Sequence, residues 1–65
     1  MKIDTNKIRL LMAEQGQNQK DLALKAGLSA SWVGFVLQRG SGGANVVYKI
    51  ANALNVDPKE IIKES

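Results

Sequence analysis

Apolar residues recur at intervals of three and four positions along most of the chain, with polar residues between them. This spacing places the apolar side chains on one face of a helix. Four stretches follow the pattern, and we expect Tyr48 to join the buried face of the fourth. The four predicted faces are Ile8, Leu11 and Met12; Leu22, Ala23 and Ala26; Val33, Val36 and Leu37; and Val47, Ile50, Ala51 and Leu54.

Capping residues mark where these helices begin and end. Asn18 and Asp21 have the spacing of a capping box, in which each side chain accepts a hydrogen bond from the other residue's backbone. Gly27 stands where a left-handed residue ends a helix, and Ser29 is a good cap for the next one. The predicted helices run from about Asp4 or Thr5 to Gln15, Gln17 to Ala26, Ala30 to about Arg39, and Ala44 or Asn45 to Leu54.

The last residues carry a further helix-start signal. Asp57 is a cap, Pro58 suits the first helical position, and Glu60 completes a capping box. We therefore expect a fifth helix carrying Ile61 and Ile62, which with Val56 would close the core or form part of a dimer patch. Residues 1–4 are expected to be a short arm.

Composition narrows the possible functions. The chain has 65 residues, the size of a single domain, and it contains neither cysteine nor histidine. Disulfides, thiol nucleophiles and imidazole acid–base chemistry are therefore excluded. Because we also find no nucleophile–base pair or metal-ligand cluster, we expect no enzyme, no bound metal and no cofactor.

Charge and hydropathy bear on partners and location. The net charge of +3 and the isoelectric point near 9.5 favour an anionic partner, but only weakly. We find neither a signal-peptide pattern nor an apolar run approaching the roughly 18 residues of a membrane span. The expected location is the cytoplasm, without membrane contact.

The second and third predicted helices, joined at Gly27, have the arrangement of a helix-turn-helix, whose second helix can lie in the DNA major groove. If Val33 and Leu37 are buried, the opposite face of the third helix presents Ser31, Gly34, Phe35 and Gln38. A DNA-reading role for this helix requires Ser31 and Phe35 to lie outside the core.

Around this unit the sequence resembles Cro/cI-type (XRE family) repressor domains. The likeness is carried by Asn18-Gln19, Leu22-Ala23, Lys25-Ala26-Gly27, Leu28-Ser29, Val33 and the stretch from Tyr48 to Val56, and it covers nearly the whole chain. The resemblance implies a compact, all-α, five-helix lambda-repressor-like domain spanning residues 1–65, with the helix-turn-helix formed by helices 2 and 3. It also implies a homodimeric repressor of phage or mobile-element type that binds a palindromic operator in double-stranded DNA.

The resemblance assigns base-reading positions to Ala30, Ser31, Gly34 and Phe35. Relatives often have glutamine, arginine or asparagine at such positions, and this chain does not. Ala30 and Phe35 are suited to apolar contact with thymine methyl groups, and the Ser31 hydroxyl to several base edges. Gly34 costs a helix about 1 kcal/mol relative to alanine, and close approach of the backbone to DNA would explain it.

Contacts to the DNA backbone are expected on both sides of the reading helix. In the resembling family, the glutamine at the position of Gln19 bonds a phosphate and braces the neighbouring helix. Residues 38–43 (QRGSGG) are expected to form a flexible loop, either a plain linker or a phosphate clamp whose glycines bring backbone N–H groups to the DNA. The complete set of expected backbone contacts is Asn18, Gln19, Lys20, Gln38, Arg39, Ser41 and Asn45, the last being alternatively a helix cap.

The alternative function is a protein-binding module on the same fold, such as an antitoxin or an antirepressor-type partner. It would use the face of Trp32 and Phe35, because aromatic side chains are common in protein interfaces. Trp32 would otherwise pack over the rim of the core.

In many relatives an arginine on the first helix pairs with a glutamate on the third, and the matching positions here are Met12 and Leu37. We predict that these two apolar side chains touch, replacing an ion pair by packing that needs no desolvation of charge. Met12→Ala and Leu37→Ala should then be strongly coupled in a double-mutant cycle of unfolding free energy. Simple additivity of the two losses would argue against the contact.

Overall fold

Four α-helices account for most of the chain in the computed structural model, which describes residues 1–63. They are α1 (Thr5–Glu14), α2 (Gln19–Ala26), α3 (Ala30–Arg39) and α4 (Ala44–Ala53), and a single 3-10 turn follows at Pro58–Glu60. All four begin and end within about two residues of the predicted limits. Helix α2 packs against both α3 and α4. In the described part of the chain, every helix lacks the length and apolar character required to traverse a bilayer.

The predicted caps of α2 and α3 are confirmed. Asn18 Oδ1 accepts from the backbone N–H of Asp21 at 2.8 Å, and Asp21 Oδ2 accepts from that of Asn18 at 3.1 Å. Ser29 Oγ accepts from the N–H of Trp32 at 3.1 Å. Between the two helices Gly27 has φ of 72°, a conformation that is costly for residues with a Cβ. These local contacts set the sharp turn of the helix-turn-helix.

The core is formed by the predicted helix faces together with Ile3 and Ile61, and two residues predicted to be buried are not. Tyr48 was predicted to be buried, yet its side chain is 62% exposed because it lies to one side of the buried face of α4. Leu11 is half-buried at the edge of the core. Met12 and Leu37 both lie in the core. The buried apolar residues are Ile3, Ile8, Met12, Leu22, Ala23, Ala26, Val33, Val36, Leu37, Val47, Ile50, Ala51, Leu54 and Ile61.

The prediction that residues 1–4 form an arm is wrong, because this segment is built into the fold. Ile3 is only 3% exposed, and its N–H donates to the carbonyl of Gly40 at 3.0 Å. Antiparallel bridges join Lys2 to Ser41 and Ile3 to Ile62. The N-terminal segment therefore lies between the chain that leaves α3 and the C-terminal segment.

The predicted fifth helix is also wrong, so the five-helix count is not supported. Asp57 caps the short turn by accepting from the N–H of Lys59 at 3.0 Å. Beyond the turn, the carbonyl of Ile61 accepts from the N–H of Asp4 at 2.7 Å, and the N–H of Lys63 donates to the carbonyl of Lys2 at 3.0 Å. Pairing with the N-terminal segment thus replaces the hydrogen bonds that would extend a helix. The last two residues of the sequence lie outside the described range.

We predict that Ile3→Ala lowers the free energy of unfolding by about 2–5 kcal/mol, because it opens a cavity where the N-terminal segment meets the core. Urea denaturation followed by circular dichroism measures this loss. Leu24→Ala is the matched control, since its side chain is 82% exposed, and it should change stability by no more than about 0.5 kcal/mol. Equal, small effects of both substitutions would mean that residues 1–4 do not contribute to the core.

Candidate nucleic-acid interface

Helix α3 has one buried face and one free face. Val33, Val36 and Leu37 are between 0% and 3% exposed, which fixes the rotation of the helix about its axis. On the opposite side Ser31 and Phe35 are exposed, one helical turn apart, and the Phe35 side chain is 48% exposed. The requirement that both residues lie outside the core is therefore met.

Around these two residues lie the other side chains of the free face. Ala30 and Gln38 are exposed, and Gly34 is half-buried. The four positions predicted to face bases thus occupy a continuous strip of α3. Among these four positions the Ser31 hydroxyl is the one side-chain hydrogen-bonding group, and the Gln38 amide lies beside them on the same free face.

The side chain of Gln19 bridges from the start of α2 to α3. Its Nε2 donates to the carbonyl of Ala30 at 3.3 Å. A Cβ atom built on Gly34 would lie 2.6 Å from the same nitrogen, closer than real contacts allow. A bracing contact of this kind was expected of Gln19 from the family resemblance. This contact also explains why position 34 is a glycine without close approach of DNA, which was the reason expected from the sequence.

The other polar residues expected to contact phosphates near the start of α2 are exposed. Asn18 uses its side-chain oxygen as the helix cap, which leaves its NH₂ group free for other acceptors. Lys20 lies in the first turn with its side chain in solvent. The unpaired N–H groups and partial positive charge of a helix N-terminus add to the attraction that this end has for an anion.

Along the surface of α3, three side chains from its first turn to its last residue form a stack. The ring centroids of Trp32 and Phe35 are 5.6 Å apart with planes inclined at 31°, and the Arg39 guanidinium carbon lies 5.5 Å from the Phe35 ring centroid. Trp32 is 43% exposed and so contributes to the surface. We call Trp32, Phe35 and Arg39 the aromatic stack.

The segment after α3 corrects the expectation of a flexible QRGSGG loop. Gln38 and Arg39 belong to α3, which ends at Gly40 with φ of 75°. Ser41 pairs with Lys2, and the N–H of Gly42 donates to the carbonyl of Met1 at 2.9 Å. The N–H of Gly40 is likewise bonded, to the carbonyl of Val36. The N–H groups of Gly40 and Gly42 are therefore occupied within the chain, so a phosphate clamp cannot use these two donors.

Asn45 does not cap α4. Gly43 holds the cap position, and the exposed Asn45 side chain lies within the first helical turn. The capping interpretation of Asn45 is thus wrong, and phosphate binding remains an expectation for it. Three of the predicted site residues lie together where α2 meets α3, namely Gln19, Ala30 and Gly34. Phe35 and Arg39 lie together farther along α3. Asn45 lies on a separate helix, α4.

Two of these contacts were not anticipated, namely that of Arg39 with Phe35 and that of Gln19 with Gly34. The aromatic stack has a sequence signal, because Trp32, Phe35 and Arg39 follow each other at three and four positions and so share one side of a helix. The fit of Gln19 against Gly34 has no such signal, since it depends on the angle at which two helices meet. Among residues 1–63 there is no group of acidic side chains close enough together to hold a metal ion.

Comparison with known proteins agrees with this geometry. The family model described as "Cro/C1-type HTH DNA-binding domain" matches residues 7–63. The crystal structure of the restriction-modification controller protein C.AhdI from Aeromonas hydrophila is similar, with a TM-score of 0.76, 33% sequence identity and coverage of 86% of each chain. No curated protein shows significant similarity to the chain.

We predict that the effect of Gly34→Ala on stability depends on Gln19. In the interior of a helix, alanine stabilises the folded state by about 1 kcal/mol relative to glycine. In the natural background, however, the new Cβ must push the Gln19 amide away from Ala30, and the hydrogen bond lost is worth about 0.5–1.5 kcal/mol. Gly34→Ala should therefore be close to neutral in the natural chain and stabilising by about 1 kcal/mol in a Gln19→Ala chain. Urea denaturation of the four proteins tests this, and the same gain in both backgrounds would rule out the contact.

Proposed function

This chain belongs to the Cro/C1-type helix-turn-helix DNA-binding family, which makes it a DNA-binding protein of the transcription-regulator type, and from this premise we propose that it is a sequence-specific repressor. It binds a palindromic operator in double-stranded DNA as a homodimer. Repression is steric, because the bound protein occupies DNA that polymerase needs. The activity is binding without catalysis, in the cytoplasm, and it requires no cofactor.

The observation that carries this proposal is the fixed outward face of α3. Its buried side chains are enclosed by the core, while Ser31 and Phe35 remain accessible on the other side. A helix held in this way can enter the major groove, where the bases present their distinguishing edges. In the proposed complex Ala30, Ser31, Gly34 and Phe35 face bases.

Contacts to phosphates orient the reading helix from its two ends. Near the start of α2, one N–H of the Gln19 amide is bonded to Ala30, and the other is available to a phosphate oxygen. Asn18 and Lys20 stand beside it. At the far end, Arg39 forms no ion pair with any acidic residue among residues 1–63, so its charge is available to the DNA backbone. Gln38, Ser41 and Asn45 complete the proposed set.

The proposed dimer fits the geometry of duplex DNA. Two reading helices enter successive major grooves on one side of the duplex when their half-sites are about 10 base pairs apart. A twofold-symmetric dimer then requires a palindromic site. The similarity to a restriction-modification controller protein supports a regulatory role, and the repressing direction and the dimer are our proposal.

The aromatic stack supports a second candidate, a protein-binding module that contacts its partner through Trp32 and Phe35. Both side chains are more than two-fifths exposed, and aromatic residues are enriched in protein interfaces. In that case DNA would be absent from the complex, and affinity would respond little to salt.

The deciding experiment is selection of bound duplexes from a random pool, followed by footprinting and a salt titration on the selected duplex. We predict a palindrome with half-sites about 10 base pairs apart. The logarithm of affinity should fall linearly with the logarithm of salt concentration, with a slope of about −0.9 for each phosphate contacted. Failure to bind any duplex at low salt would exclude the repressor and favour the protein-binding module.

Two variants in the same salt titration test whether Arg39 contacts a phosphate. Arg39→Ala removes one proposed phosphate contact per protomer and should make the slope shallower by about one for each protomer bound. Lys25→Ala is the matched control, because it removes the same charge from the end of α2 opposite to Gln19 and should leave the slope nearly unchanged. Equal changes in the two variants would indicate that net charge, and not a contact at Arg39, determines the salt response.

A further inference from the structure

We infer that Phe35 reads the 5-methyl group of thymine, and that this apolar contact is the principal base determinant of the operator. The inference rests on the proposed function, since it requires α3 to enter a major groove. It goes further by naming the chemical group that the site selects.

The first argument is the scarcity of hydrogen-bonding groups where bases would be met. Discrimination by hydrogen bonding depends on side chains such as arginine, asparagine and glutamine, which bond two atoms of one base edge at once. Ala30, Gly34 and Phe35 have no side-chain donor or acceptor, and Ser31 has a single hydroxyl. The one amide on this face belongs to Gln38, which the proposed complex assigns to the DNA backbone. Most of the side-chain surface of this strip is therefore hydrocarbon.

The second argument is the position of the Phe35 ring. Phe35 and Ser31 lie at the centre of the free face of α3, so in a groove they would approach the bases most closely. Thymine is the one base that presents a methyl group there, beside its O4 acceptor, whereas the edges of the other bases consist of hydrogen-bond donors and acceptors without a methyl group. A phenyl ring gains free energy by covering the methyl group, and it leaves the polar atoms of any other base without a partner.

The third argument is that the ring is held in place before binding. Trp32 packs against it at 5.6 Å between centroids, and the Arg39 guanidinium carbon lies over the ring, 5.5 Å from its centroid. A side chain restrained in this way loses little conformational entropy when it contacts DNA. The same stack links the base contact to Arg39, which is proposed to bind a phosphate.

The test uses the selected operator with thymine replaced by uracil at one half-site position at a time. Uracil pairs as thymine does but lacks the 5-methyl group. We expect one position in each half-site where the replacement weakens binding about three- to tenfold, the change expected from uncovering one buried methyl group. The other thymines should tolerate replacement.

A double-mutant cycle that combines Phe35→Ala with replacement of thymine by uracil tests whether Phe35 is the side chain that contacts the methyl group. Phe35→Ala should bind the thymine and uracil duplexes with equal affinity, because the ring that senses the methyl group is gone. Tyr48→Ala removes another exposed aromatic side chain from a different helix, and it should retain the full preference for thymine. Both substitutions are at exposed positions, and circular dichroism is used to check that each variant is folded.

Replacing the base pair at the sensitive position provides a rescue experiment, in which a methyl group is added back to a weakly bound duplex. Cytosine at that position should bind weakly, and 5-methylcytosine should recover part of the loss, because it restores the methyl group without restoring thymine pairing. Selected half-sites without thymine, equal affinity for thymine and uracil duplexes, or an unchanged preference in Phe35→Ala would each overturn the inference while leaving DNA binding intact. The absence of any bound duplex would instead overturn the proposed function, and this inference with it.

Discussion

The packing of Val33, Val36 and Leu37 into the core is the interaction on which the candidate site depends. Burial of each such side chain is worth about 1.5–3 kcal/mol, so rotation of α3 by even one residue would expose apolar surface at a cost that a small domain cannot offset. The rotation of the helix is therefore fixed. Ser31 and Phe35 face solvent because the positions that face the core are already filled.

Both ends of α3 are also tied to other segments. At its start the amide of Gln19 is bonded to the carbonyl of Ala30. At its end the carbonyl of Gly40 accepts from Ile3, so the N-terminal segment restrains the chain as it leaves the helix. A helix held at its two ends and along one side presents its free face in a single orientation. Such preorganisation lowers the entropic cost of binding a rigid partner such as duplex DNA.

The sequence was sufficient to predict those features that depend on neighbouring residues. The capping box of Asn18 and Asp21, the left-handed Gly27 and the buried faces of the helices each follow from interactions within a few positions. The N-terminal arm and the fifth helix were predicted wrongly for one shared reason. Hydrogen bonds between residues 2–4 and 61–63 join segments almost sixty positions apart, and they prevail over the local helix-start signal at Asp57.

Gly34 shows the same limit within the site. A glycine inside a helix indicates that something lies close to it, but the sequence does not tell whether the neighbour is a ligand or another part of the chain. Here the neighbour in the structure is the Gln19 side chain. The contact with Gln19 is therefore a reason for glycine at this position that needs no ligand.

The composition of the reading face gives an independent reason for the proposed dimer. Specific DNA-binding proteins prefer their sites over other DNA by about 4–10 kcal/mol, and one good base contact contributes about 1–3 kcal/mol. A serine hydroxyl and two apolar side chains lie at the lower end of that scale, so one protomer would supply roughly 3 kcal/mol, which falls short. Two protomers on a symmetric site double the discrimination and bring it into the range of specific binding. Because the net charge of +3 adds attraction without sequence preference, a second copy of the same helix is the simplest source of the missing specificity.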